Sequence, residues 1–116
     1  MSELQFQINL FKALSRLEAF HTDLFTYAVE FGENNTNYVQ LKQLKAKGMR
    51  RGVSDLHIIG GGKILFVELK TTTGVQSKFQ KLFEQKARFN KIGYLLLRSN
   101  QSIEECTTLI LKHLYG

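Results

Sequence analysis

The chain has 116 residues, 43% of them hydrophobic, and a single cysteine, Cys106. That composition suits one domain, residues 1–116, with a core that needs no staples; one cysteine allows no disulfide within a monomer and suggests no zinc site. No apolar run has the length of a membrane span and the N-terminus does not read as a signal peptide, so a cytoplasmic protein without a membrane partner is expected.

The formal net charge of +6 is unevenly placed: residues 1–41 hold five acids and two bases, whereas residues 42–98 hold thirteen bases against three acids, Asp55, Glu68 and Glu84. A basic field around a small acidic centre suits a polyanion held over a cation, although a basic surface also serves solubility. The thiol of Cys106 falls in a predicted helix, where a small buried hydrophobe is the expected role.

In chain order, residues 2–20 read as an amphipathic helix with Ser2 as N-cap and Leu4, Ile8, Phe11, Leu14 and Leu17 as its apolar stripe. Residues 24–31 read as a strand, with Gly32, Glu33, Asn34 and Asn35 as the turn beyond it. Residues 36–52 carry Lys42, Lys45, Lys47, Arg50 and Arg51 and no acid; Tyr38, Leu41 and Leu44 suggest a short helix ended by Gly48. This segment leads straight into Asp55 and is expected to touch the phosphates of a nucleic acid without reading its sequence. Ser77 reads as the N-cap of a helix reaching about Asn90, with Phe79, Leu82, Phe83 and Ala87 as its apolar stripe. Lys78, Gln85 and Arg88 read as its solvated side, and Lys81 as a phosphate contact. Tyr94 to Arg98 form an apolar strand, expected to be central. Ser102 and Glu105 open a last helix whose buried side is Ile103, Ile110, Leu111 and Leu114.

Between the basic segment and the second long helix lies the most informative stretch, residues 55–70. Two apolar, β-branched runs flank Gly60, Gly61 and Gly62, which predicts an antiparallel hairpin with Gly61 and Gly62 as its two-residue turn. In that register His57 faces Phe66 and Asp55 faces Glu68, and Lys70 shares their face of the sheet. A three-residue turn would slip the register and part the carboxylates.

Two neighbouring carboxylates repel, and a divalent cation between them removes the cost. Oxygen donors suit Mg²⁺ or Mn²⁺, which would polarise a phosphoryl group, and Lys70 would hold the attacking water or offset phosphate charge. The alternative is an ordinary hairpin with a surface Glu/Lys pair. His57 reads either as a general acid or extra ligand, or as a half-buried strand residue against Phe66. His21 and His113 have no chemical company in the sequence.

Gly48 to Asp55, then Phe66-Val67-Glu68-Leu69-Lys70, then Gly74 to Gln80, then Gly93-Tyr94 together resemble the VRR-NUC family, the virus-type replication-repair nucleases of the PD-(D/E)XK superfamily. The resemblance covers residues 39–98 well and the first helix more loosely, and its pattern is that of a stand-alone, phage-type member. Ser54 stands where the family usually has proline, and residues 33–35 replace a proline-containing stretch.

The resemblance implies a mixed α/β fold with the PD-(D/E)XK core, in the order α-β-β-β-α-β-α. It implies a metal-dependent DNA endonuclease in which Asp55, Glu68 and the carbonyl of Leu69 hold Mg²⁺ or Mn²⁺ and Lys70 positions the water. Gln80 and Glu3 would support the chemistry, with Glu18 as the weaker alternative to Glu3. It further implies branched or structured DNA as substrate, a homodimer and no nucleotide cofactor. Two rival readings are a DNA-binding module that does not cut and a nuclease for RNA, which only recognition of the 2′-OH would separate from a DNA enzyme.

Overall fold

The computed structural model describes residues 1–29 and 37–116. Along them run α1 (Glu3–Leu17), β1 (Phe25–Ala28), α2 (Tyr38–Ala46), β2 (Leu56–Gly60), β3 (Lys63–Lys70), α3 (Lys78–Phe89), β4 (Gly93–Arg98) and α4 (Ile103–Tyr115). The fold is mixed α/β. The four strands form one sheet in the order β1-β2-β3-β4, antiparallel except for the parallel pair β3 and β4. The end of the strand expected over 24–31, together with the turn at Gly32 to Asn35, lies outside the described residues.

The hairpin takes the register that a Gly61-Gly62 turn dictates. Gly60 pairs with Lys63, His57 with Phe66 and Leu56 with Val67. Gly61 and Gly62 have φ of 60° and 73°, the left-handed pair that suits the twist of a tight hairpin. One residue beyond the last ladder pair, the same register sets Asp55 opposite Glu68.

Strand alternation then divides the sheet into two faces. Leu56, Ile58, Leu65, Val67, Leu69 and Leu97 point to one side and meet Phe6, Leu10 and Leu14 of α1 and Cys106, Ile110 and Leu114 of α4, all of them buried. Burial pushes the Cys106 thiol up to about 11, which keeps it an inert apolar group. The other face carries His57, Phe66, Glu68, Lys70 and Tyr94. It is covered over β3 and β4 by α3, whose Phe83 ring packs 5.0 Å from that of Phe66.

Three expectations about packing need correction. In α1 the buried stripe is Phe6, Leu10 and Leu14, while Leu4 is 70% exposed and Ile8 and Phe11 are each 39% exposed. Two apolar stripes are interleaved on this helix, both at helical spacing, and contact with α4 and the sheet selects the first. In α3 only Ala87 is buried, and Phe79 and Leu82 are about half exposed. The helix covers two strands rather than a wide core, so a narrow contact stripe is enough. Finally, β4 is an edge strand rather than a central one, pairing among the described residues only with β3. Its apolar run reflects cover on both faces: Tyr94 is buried under α3 and Leu97 in the core.

The basic helix α2 is present, capped by the Asn37 side chain on the N–H groups of Val39 and Gln40 and followed by Gly48 at φ 103°. It contributes no buried residue, so it stands as an appendage to the sheet rather than a layer of it.

Candidate active site

The carboxylates meet where β2 and β3 part. The Oδ2 atom of Asp55 accepts the Leu69 N–H at 2.7 Å, and the Asp55 carbonyl accepts the Val29 N–H at 2.9 Å. Asp55 thus closes the end of the hairpin ladder with its side chain and extends pairing toward β1 with its backbone. In a strand the N–H and C=O of one residue face the same neighbour, so the Leu69 carbonyl lies along the edge that Asp55 occupies.

Glu68 is completely buried. Its Oε1 accepts the Tyr94 hydroxyl at 2.8 Å, whereas Oε2 is buried with no hydrogen-bond partner among the described residues. Burial holds the Glu68 carboxyl above the ordinary carboxylate range and the neighbouring Asp55 charge adds to that. The Tyr94 hydroxyl, the Lys70 ammonium and the Gln76 amide pull the other way. A carboxylate oxygen left bare in the interior costs free energy, and bound positive charge is the usual compensation.

Glu3, in the first turn of α1, lies within electrostatic reach of this centre. Its carboxyl is raised by partial burial and by the Asp55 charge, and lowered by Lys70, so its charge is coupled to both. Glu18 caps the opposite end of the 15-residue helix, about 22 Å away at 1.5 Å per residue.

Lys70 ends β3, and the turn after it is tightly held. Arg98, paired with Lys70 across the parallel ladder, donates from Nη1 to the carbonyls of Gly74 at 2.7 Å and Thr71 at 3.0 Å. Gly74 lies against the Lys70 stem, since a Cβ there would come within 3.2 Å of Lys70 Cδ.

Two glutamines flank the start of α3 and have separate partners. Gln80 forms a capping box with Ser77: its Oε1 accepts the Ser77 N–H at 2.8 Å while Ser77 Oγ accepts the Gln80 N–H at 3.1 Å. Gln76, to which no sequence motif assigns a role, donates from Nε2 to Glu84 at 3.0 Å and to the Tyr94 hydroxyl at 3.4 Å. Glu84 is in turn paired with Arg88 at 2.7 Å. One signal in the sequence pointed here: a tyrosine at the head of an apolar strand needs an acceptor for its hydroxyl.

His57 sits among aromatic rings, 5.4 Å from that of Tyr27 and 4.7 Å from that of Phe66. Burial lowers its pKa, so the ring is neutral at pH 7. This is the environment of the half-buried strand residue.

Lys42, Lys45, Lys47, Arg50, Arg51 and Lys81 are all exposed. Gly52, at φ 82°, anchors the end of the basic segment to the start of α3, where any Cβ would strike the Phe79 carbonyl. Arg51 lies with its guanidinium 5.6 Å from the Phe79 ring centre. The basic segment therefore runs from α2 to the first turn of α3, which carries Lys81, and then directly into Asp55.

Among the described residues no group of three or more His, Cys, Asp or Glu side chains is arranged as a metal cage. Two carboxylates and a backbone carbonyl fall below that number, and they suit a hard cation that keeps several water ligands. No helix of the described residues is long and apolar enough to cross a membrane.

No protein-family model, curated protein or solved structure matches this chain.

Proposed function

We propose that the chain is a metal-dependent DNA endonuclease with a PD-(D/E)XK core of the VRR-NUC type, acting on branched or structured DNA. The observation that carries this reading is Glu68. It is fully buried, its Oε2 is without a partner among the described residues, and it lies across the ladder from Asp55 with Lys70 on the same face.

Asp55, Glu68 and the Leu69 carbonyl are the residues that would hold Mg²⁺ or Mn²⁺. Bound there, the ion would supply Lewis-acid polarisation of a phosphoryl oxygen and a more acidic water. The side chains divide the remaining work. Lys70 orients the attacking water and offsets the charge that grows on the phosphate. Glu3, coupled to Asp55 and Lys70, orients that water from the other side. Lys42, Lys45, Lys47, Arg50, Arg51 and Lys81 neutralise backbone phosphates and hold the strand in register without reading bases. A homodimer would present two such centres and cut both strands of a junction.

The test is cleavage of plasmid, linear duplex, single-stranded and four-way-junction DNA, and of RNA, in Mg²⁺, Mn²⁺ or EDTA. Wild type is expected to cut DNA only with metal, Glu68→Ala to be inactive and Lys70→Ala to lose roughly 10²–10³ in rate. Preferred cutting of RNA would move the substrate to that polymer. Binding without cutting in either metal, or undiminished cutting by both variants, would overturn the proposal in favour of a binding module. Light scattering of the purified chain reads the dimer.

A further inference from the structure

The hydrogen bonds around Glu68 are asymmetric. One carboxylate oxygen is occupied by a tyrosine hydroxyl held in place from α3, and the other is bare. A carboxylate at the end of a two-carbon stem can turn either oxygen, or both, toward a cation, and burial alone does not choose between them. Here the choice is made by Tyr94, which projects from β4 on the same face as Glu68 and is only 3% exposed.

Tyr94 is itself constrained. Its ring is packed against Phe83, with centroids 6.3 Å apart, and its hydroxyl oxygen receives the Gln76 amide at 3.4 Å. With that amide donating to it, the hydroxyl keeps its own proton for Glu68 Oε1. The Gln76 amide also donates to Glu84, which Arg88 anchors on α3. The loop before α3, α3 itself and β4 thus converge on one oxygen of one carboxylate.

We infer that Tyr94, braced by Gln76, is a positioning residue for metal binding. It holds Glu68 Oε1 and so leaves Oε2 as the single oxygen offered to a divalent cation, together with Asp55. This rests on the metal-dependent reading above, and the two can fail separately. The hydrogen bond orients the ligand and lowers the entropy lost when the ion arrives, and partners of this kind typically carry a 10–100-fold share of metal affinity.

The test is Mn²⁺ binding to the purified chain, followed by the electron paramagnetic resonance signal of free Mn²⁺, with no DNA present. Tyr94→Phe keeps the ring and its packing and removes only the hydroxyl. It is expected to weaken Mn²⁺ binding by roughly 10–100-fold, to keep a cooperative melt and to regain cleavage as Mn²⁺ is raised. Gln76→Ala is expected to weaken binding by a smaller factor in the same direction. Lys70→Ala should retain Mn²⁺ binding and stay slow at every metal concentration.

If Glu68→Gln abolishes Mn²⁺ binding but Tyr94→Phe binds within twofold of wild type, the positioning role is wrong while the metal site stands. If Glu68→Gln binds Mn²⁺ as well as wild type, the site itself is wrong. Should Tyr94→Phe fail to fold, Gln76→Ala carries the test, and unchanged affinity in it overturns the braced arrangement.

Discussion

A fully buried carboxylate with one bare oxygen is poor material for a stable fold. Glu68 interrupts a strand whose neighbours Val67 and Leu69 are completely buried, and burial raises its pKa because the ionised form has lost its water. A polar group left unsatisfied in the interior costs about 1–3 kcal/mol. Removing the charge while keeping the shape should therefore help the metal-free protein. Glu68→Gln is expected to raise its stability in urea by roughly 1–2 kcal/mol. Wild type, in contrast, should gain about 2.7 kcal/mol when Mn²⁺ is supplied at a hundred times its dissociation constant, and the variant should gain nothing. Urea melts with and without Mn²⁺ read both halves. A glutamine variant that is less stable in EDTA would mean that the carboxylate supports the fold rather than a ligand.

At the scale of elements, the hairpin of β2 and β3 positions the site, and its turn shows what fixes the register. Gly61 and Gly62 both have positive φ, but they differ in surroundings: a Cβ on Gly61 would strike the Leu114 carbonyl of α4, whereas nothing lies within 4 Å of one on Gly62. Gly62→Ala should cost only the left-handed backbone penalty, about 1–2 kcal/mol. Gly61→Ala must also displace the end of α4 and should cost visibly more in urea unfolding. Equal losses would mean that the turn does not bear on the helix. This hairpin was legible in the sequence, register included, because a two-residue glycine turn and a period of two leave one solution. The capped helices were legible for a similar local reason. The buried side of α1 was not, because Leu4, Ile8 and Phe11 repeat at helical spacing as well as Phe6, Leu10 and Leu14 do. Nor was the edge position of β4, since strand neighbours are set by contacts far apart in the chain. Within the candidate site, Asp55, Glu68 and Lys70 could be placed from one hairpin. The brace on Glu68 joins Gln76 and Tyr94 from different elements, and no spacing rule reports such a meeting.

Two features act across the whole molecule. The first is Asp23, which ties the loop after α1 to the hairpin turn and the C-terminal helix. Its Oδ2 accepts the Gly61 N–H at 2.7 Å and its Oδ1 accepts the Tyr115 hydroxyl at 2.8 Å. The Gly61 N–H, and then the Tyr115 hydroxyl, hold the Asp23 carboxyl below its ordinary value, while loss of water and then the Asp23 contact push Tyr115 up to about 12. The folded chain therefore binds fewer protons at Asp23 than the unfolded chain in the interval below about pH 3.9. Its stabilisation is complete above that value and is lost as pH falls through the lower folded pKa. The stability gap between wild type and Asp23→Asn should be constant from pH 5 to 7 and shrink in acid. A gap that widened in acid would reverse the sign.

The second is the charge distribution. The exposed bases of α2 and the segment after it precede Asp55 in the chain, with Gly52 packed against the Phe79 backbone, and under the proposed function they would draw a phosphate backbone toward the carboxylates. Lys42 and Lys45 are three residues apart and share one face of α2. If each neutralises one phosphate of duplex DNA, Lys42→Ala with Lys45→Ala should flatten the slope of log K against log salt by about 1.8, at 0.9 per phosphate. Binding would be followed in EDTA to prevent cutting, over several salt concentrations, and compared across unrelated sequences. The loss should be uniform across sequences, because phosphate contacts carry no base information. A weaker affinity with an unchanged slope would place these lysines outside the DNA path. A loss confined to some sequences would mean that α2 reads bases.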